Sequence, residues 1–112
     1  MTSKFLKDLH RRTLQNYLDI IILTKLQERS LSGYDLVGYI NKKYGILISP
    51  GTIYSILYSL ERRGYIEGQM VKRKRLYKLT KKENQNTIKK TNNEVQKFLR
   101  QITLLETNNT AI

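Results

Sequence analysis

Two helix-start signals stand in tandem between residues 31 and 53, and a glycine between them leaves room for only a short turn. In the first, Leu31-Ser32-Gly33-Tyr34-Asp35-Leu36, Ser32 is the N-cap, Asp35 can reach back to it, and Leu31 can staple against Leu36. The second, Ile48-Ser49-Pro50-Gly51-Thr52-Ile53, repeats that chemistry. Ser49 caps, Pro50 takes the first helical position, where a missing N–H is harmless, and Ile48 can staple onto Ile53. A helix opened at Ser32 should stop at Gly45, and one opened at Ser49 should run to Gly64. Two short helices joined through residues 45–48 make a helix-turn-helix, which needs a preceding helix to pack against.

Leu14, Leu18, Ile21, Ile22 and Leu26 supply that helix, and the additional Ile20 and Leu23 predict that it is buried on more than one side. Upstream, Phe5, Leu6 and Leu9 alternate with Lys4, Lys7, Arg11 and Arg12, as either a backward extension of this helix or a basic arm ordered by a partner. After Gly64 the period changes to two. Ile66, Gly68 and Met70 alternate with Glu67, Gln69 and Val71, and Arg75 to Leu79 alternates again, which predicts a hairpin turning at Lys72, Arg73 and Lys74. Thr80-Lys81-Lys82-Glu83 reads as a capping box for a last helix, in which Ile88, Thr91, Val95, Phe98, Ile102 and Leu105 keep a helical 3-4 spacing. The fold expected is mainly α with a small β-hairpin wing. It divides into a basic N-terminal extension (1–13), a winged helix-turn-helix (14–80), a dimerisation helix (81–106) and a flexible tail (107–112).

Charge says what such a fold is for. Of the net +12, half falls within residues 65–82, where seven Lys and Arg face one Glu. A run that compact suits phosphate binding better than simple solvation. On a helix over 50–62, Ile53, Ile56, Leu57 and Leu60 share one face, leaving Gly51, Tyr54, Ser55, Tyr58 and Arg62 on another that carries no carboxylate. Small residues at the helix start (Gly51, Thr52, Ser55) permit close approach to a major groove, while Tyr54 and Tyr58 can reach phosphates through their hydroxyls. One of these two tyrosines could instead pack in the core. Lys72, Arg73, Lys74 and Arg75 suit phosphate contact or insertion into a narrow minor groove.

Other chemistries find little support. The chain has no cysteine and a single histidine, His10, so disulfides, thiolate metal sites, cysteine nucleophiles and a histidine-based metal cluster are all removed. No catalytic residue, metal ligand or cofactor is predicted. The longest apolar run, Ile20 to Leu23, is far below the roughly 20 residues of a membrane span, and a cytoplasmic, nucleoid-associated protein is expected. Single-stranded nucleic acid would want aromatic residues displayed on the sheet, where only Tyr65 and Tyr77 are candidates.

The runs Ser32-Gly33-Tyr34-Asp35-Leu36, Ser49 to Ile66 (with Ser-Pro-Gly-Thr-Ile-Tyr at its start) and Arg75-Leu76-Tyr77-Lys78-Leu79-Thr80 resemble the PadR family of winged helix-turn-helix transcription regulators. The likeness covers roughly residues 14–82 and is of the short-tailed type. It implies a dimer held by the first and last helices, with the helix after Ser49 and the wing on DNA. Where family members commonly carry a glycine after the wing, this chain has Lys81-Lys82-Glu83-Asn84, so a more continuously helical junction is expected. Family members that sense small molecules use tryptophan or other aromatics at the dimer interface, and this chain has no tryptophan. It identifies no small-molecule effector, and a partner protein is the alternative.

The function expected is therefore a homodimeric, sequence-specific double-stranded DNA-binding repressor, with Ile88, Val95, Phe98, Ile102 and Leu105 as the dimer seam. A second reading keeps the DNA and changes the purpose, to a DNA-spreading adaptor or centromere-binding protein of a plasmid partition or chromatin system. A protein-interaction coiled coil and a membrane-surface helix explain less of the sequence.

Overall fold

The computed structural model describes residues 3–80 and 85–103. In chain order the elements are α1 (Lys4–Asn16), α2 (Leu18–Leu26), β1 (Leu31–Ser32), α3 (Gly33–Tyr44), α4 (Pro50–Arg62), β2 (Ile66–Val71), β3 (Lys74–Leu79) and α5 (Gln85–Thr103). The core forms where α2, α3 and α4 meet the sheet, around the fully buried Leu18, Ile22, Leu36, Ile40, Ile48, Ile53, Leu57, Leu60 and Ile66. Both expected staple pairs lie within it: Leu31 with Leu36, and Ile48 with Ile53.

Each helix of the helix-turn-helix begins where its cap dictates. Ser32 Oγ accepts the Asp35 amide at 3.0 Å and the Asp35 carboxylate accepts the Ser32 amide at 3.2 Å, a complete capping box. Gly45 closes α3 at φ 64°, a left-handed conformation that glycine adopts without the Cβ penalty. Ser49 Oγ accepts the Thr52 amide at 3.2 Å, and Pro50 opens α4. Between them, Asn41 Oδ1 accepts the amide of the buried Ile48 at 2.8 Å, so a side chain of α3 holds the turn that aims α4.

Three features depart from the sequence expectation. The helix expected from Leu14 to Leu26 is two helices, broken at Tyr17, whose amide donates to the Leu14 carbonyl at 3.1 Å. The two segments have different burial demands: α1 exposes everything but Leu14, whereas α2 is apolar around most of its circumference. The basic stretch from Lys4 is thus ordered as a helix of its own, with Ser3 as its cap. Secondly, the wing belongs to a three-stranded antiparallel sheet of order β1-β3-β2, in which Leu31 faces Tyr77 and Ser32 faces Leu76. Two residues are too few for alternation to show as a pattern. Thirdly, Lys74 is not in the turn; it is the first residue of β3 and pairs with Val71, leaving a two-residue turn of Lys72 and Arg73.

The predicted capping box at residues 80–83 falls mostly outside the described residues. Thr80 itself is described, and its hydroxyl donates to the Gly64 carbonyl at 2.9 Å, fastening the end of β3 to the end of α4. The tail over 107–112 also lies outside them. Among the described residues no helix is long and apolar enough to cross a membrane, and no group of three metal-ligating side chains occurs.

Candidate nucleic-acid interface

Burying Ile53, Leu57 and Leu60 turns the opposite face of α4 to solvent. Tyr54 and Tyr58 remain 46% and 64% exposed, so neither is a core residue. Tyr54 is nonetheless seated: a Cβ on Gly33 would overlap its ring, so the ring crosses the start of α3 only because position 33 is glycine. The Arg62 guanidinium stands 5.7 Å from the centroid of the Tyr58 ring one turn away. Ser55 is exposed. Thr52 is half-buried, its hydroxyl 2.9 Å from Ser49 Oγ within the cap. A Cβ on Gly51 would come no closer than 4.0 Å to any side chain, so the protein's own packing does not require glycine there.

The wing presents its cations in two directions. Side chains alternate across a strand, and the register pairs Gly68 with Tyr77 and Met70 with Arg75, so Arg75 shares the face of the buried Tyr77. Lys74 lies on the other face, beside Val71. Lys72 and Arg73 form the tip, with φ of 49° and 69°. Positive φ at both central residues marks the type I′ hairpin turn, where asparagine and glycine are the usual occupants. A tip of two L residues in this conformation trades backbone comfort for two exposed cations.

Arg75 is not displayed in the same way. Its Nη2 donates to Glu61 Oε2 at 2.6 Å, and the same oxygen accepts the Gly68 amide at 3.0 Å. Glu61, the only acid on α4, therefore points to the wing and leaves the outer face free of carboxylate, while raising the proton affinity of the Arg75 guanidinium. Behind the wing, Asp35 is held below its ordinary pKa of 3.8, first by the Ser32 amide and hydroxyl and then by the charges of Lys74 and Arg29.

The sequence did not single out Tyr34, which is 78% exposed on the first turn of α3, directly after the Gly33 that the Tyr54 ring crosses. Its position directly after a capped Ser-Gly was the available signal. Met70 and Val71 are exposed apolar residues flanking the basic tip, and in the sequence they fit the strand alternation and carry no further signal.

The expected dimer seam divides along α5. Ile88 is buried within its own protomer, at a cleft it lines with Ile20, Leu23, Leu60 and Tyr65, and Asn92 Nδ2 donates to Thr24 Oγ1 at 3.0 Å. Beyond this docking site the stripe is bare: Val95 is half-buried, and Phe98 and Ile102 are 57% and 60% exposed. Tyr17, Thr91, Val95 and Phe98 line a shallow groove there. Leu105 lies outside the described residues. On α1, Phe5, Leu6 and Leu9 form a second exposed apolar stripe.

Comparison with known proteins places this arrangement. The chain is similar in structure to a PadR-like transcriptional regulator from Bacillus cereus, with 22% identity, a TM-score of 0.68 and coverage of 85% of this chain and 99% of that one. A transcriptional regulator from Clostridium thermocellum is similar over 94% of this chain and 100% of its own, at 24% identity and a TM-score of 0.66. Bacillus subtilis PadR, solved in complex with operator DNA, is 28% identical, with a TM-score of 0.55 over 62% of this chain and 44% of its own. No curated protein matches the sequence significantly. The transcriptional regulator PadR-like family matches residues 22–92. A family match over more than half of the sequence, on a winged helix-turn-helix fold, means that the chain belongs to the PadR-like family of transcriptional regulators.

Proposed function

We propose that the protein is a homodimeric, sequence-specific double-stranded DNA-binding repressor. The observation that carries the reading is the outer face of α4: two exposed tyrosines, a glycine that the protein's own packing does not require, and no carboxylate, because Glu61 is turned away to the wing. Such a face tolerates a polyanion at contact distance. Gly51, Thr52, Ser55 and Tyr54 would lie against base edges and nearby phosphates, with Tyr58 and Arg62 further along the groove. Lys72, Arg73 and Lys74 would contact phosphate or enter the adjacent minor groove. The operator complex of Bacillus subtilis PadR supports duplex DNA as the partner. Two copies related by a dyad would place their recognition helices about one helical turn apart, on half-sites of a palindrome.

The test is a DNase footprint on the DNA upstream of the protein's own gene, titrated across protein concentration at fixed salt. The expected result is a bounded footprint of roughly two helical turns that stops growing once the site is filled. A footprint that lengthens stepwise with concentration would replace repression at one operator by spreading along DNA.

A further inference from the structure

Of the four consecutive cations at the wing, one, the partly exposed Arg75, is paired within the protein, and the way it is paired couples two elements that the proposed function uses separately. Glu61 sits in the last turn of α4, on the side of the helix that faces the sheet. One oxygen of its carboxylate receives a charge-assisted hydrogen bond from Arg75 on β3 at 2.6 Å and a second hydrogen bond from the Gly68 amide on β2 at 3.0 Å. A single acceptor atom thus holds both strands of the wing. The guanidinium crosses β2 at Gly68, where a Cβ would lie 2.5 Å from Arg75 Nε and 2.8 Å from Nη2, so only glycine leaves its path open. Its other flank stands 5.6 Å from the centroid of the Tyr77 ring, which is buried. Four residues from three elements converge on one ion pair, and the two-residue turn adds no slack at the far end of the hairpin.

We propose that Glu61 and Arg75 are positioning residues that lock the wing to the recognition helix as one reading unit, and that Arg75 belongs to this lock and not to the phosphate-contacting set. The inference rests on the DNA-binding reading above and sharpens it. With the lock closed, the offset between the major-groove contacts of α4 and the contacts of the wing tip is fixed, and DNA in which that offset differs is rejected. With it open, the distal part of the hairpin, beyond the Leu76 and Tyr77 positions that β1 pairs with, moves independently of α4, and the tip cations meet phosphates in any register.

Electrostatics and positioning predict opposite signs for one substitution, which makes the lock testable. Glu61→Ala removes an acid and frees a cation, so by charge alone it would strengthen binding to every duplex. As a lock residue, its loss weakens operator binding by roughly threefold to tenfold, in line with a partly exposed ion pair and one part-buried backbone hydrogen bond, while binding to random duplex is unchanged or tighter. The duplex used is one selected by the wild-type protein from a randomised pool, with a scrambled duplex of equal length beside it. Arg75→Gln should show the same operator loss, and the double variant should lose no more than either single one. The slope of log affinity against log salt should be the same for Arg75→Gln as for wild type, whereas a lost phosphate contact would reduce it by about 0.9 per subunit. Glu61→Gln, which keeps both acceptor bonds without the charge, should fall between and guards against a folding failure. Hydrogen exchange at the Gly68 amide reads the lock without DNA: slow in wild type, fast in Glu61→Ala. The inference is overturned if Arg75→Gln lowers the salt slope and weakens operator and scrambled DNA alike, or if Glu61→Ala binds the operator as well as wild type. If wild type selects no duplex at all, the DNA-binding reading itself fails, and the Gly68 exchange still reports whether the lock exists.

Discussion

Lys72 and Arg73 occupy left-handed backbone, at φ of 49° and 69°, that costs an L residue roughly 1–2 kcal/mol. Neither side chain has an ion-pair partner among the described residues, so the folded protein gains nothing visible in return. Stability and DNA binding should therefore respond in opposite directions when the pair is replaced by the residues this turn prefers. Lys72→Asn with Arg73→Gly is expected to raise the melting temperature by several degrees, as about 1 kcal/mol does in a domain of this size. The same variant should bind operator and scrambled duplex more weakly by similar factors, since phosphate contacts carry no sequence information. Thermal unfolding and a pair of binding titrations settle it. A variant less stable than wild type would mean that the tip makes contacts in the fold that repay its backbone strain.

Helix α3 shows the same economy at the level of an element, because its start is set by two side chains that satisfy each other. Asp35 is held below 3.8 by the Ser32 amide and hydroxyl, and a depressed carboxyl contributes stability above its unfolded pKa and loses it as pH falls through the folded one. Asp35→Ala should cost about 1 kcal/mol at pH 7, and the gap from wild type should shrink as pH drops below 3.8. Urea denaturation of both proteins at pH 7 and near pH 3 reads this; a gap independent of pH would show that the ionised carboxylate's bond to the Ser32 amide does not stabilise the helix start. Such start signals are local, and this explains why the helix-turn-helix was legible in sequence: Ser32, Gly45, Ser49 and Pro50 act through neighbours within four residues. The hairpin was legible through its alternation, but its turn was placed one residue too long, since register depends on the pairing of Val71 with Lys74 and not on composition. The break at Tyr17, the Asn41 bond to Ile48 and the Glu61 bond to Arg75 were not legible, because each depends on which parts of the chain meet after folding. For the same reason the burial of Ile88 beside Ile20, Leu23 and Leu60 could not be read from spacing.

At the scale of the whole molecule, charge and exposed apolar surface make a joint demand. Half of the net +12 falls within residues 65–82 of the sequence, and the largest bare apolar side chains outside the proposed DNA face include Phe5 on α1 and Phe98 and Ile102 on α5. A second copy covering these stripes would also double the cations available to one stretch of DNA, so dimerisation and salt dependence should change together. If Lys72, Arg73 and Lys74 of each protomer each meet a phosphate, a dimer neutralises about six, and log affinity should fall against log salt with a slope of about −5. Phe98→Glu places a charge in the proposed seam and, if α5 forms it, is expected to give monomers by size-exclusion chromatography with light scattering. Because Phe98 is exposed in the single protomer, the fold itself should survive, as far-UV circular dichroism would show. That monomer should bind DNA with a slope near −3, roughly half the dimer's, and with affinity that no longer depends on the second half-site. A Phe98→Glu protein that stays dimeric would remove the distal part of α5 from the interface. One that is monomeric yet keeps the full slope would mean that the cations counted here serve a single protomer's contact with DNA, and that the dimer adds geometry without adding charge.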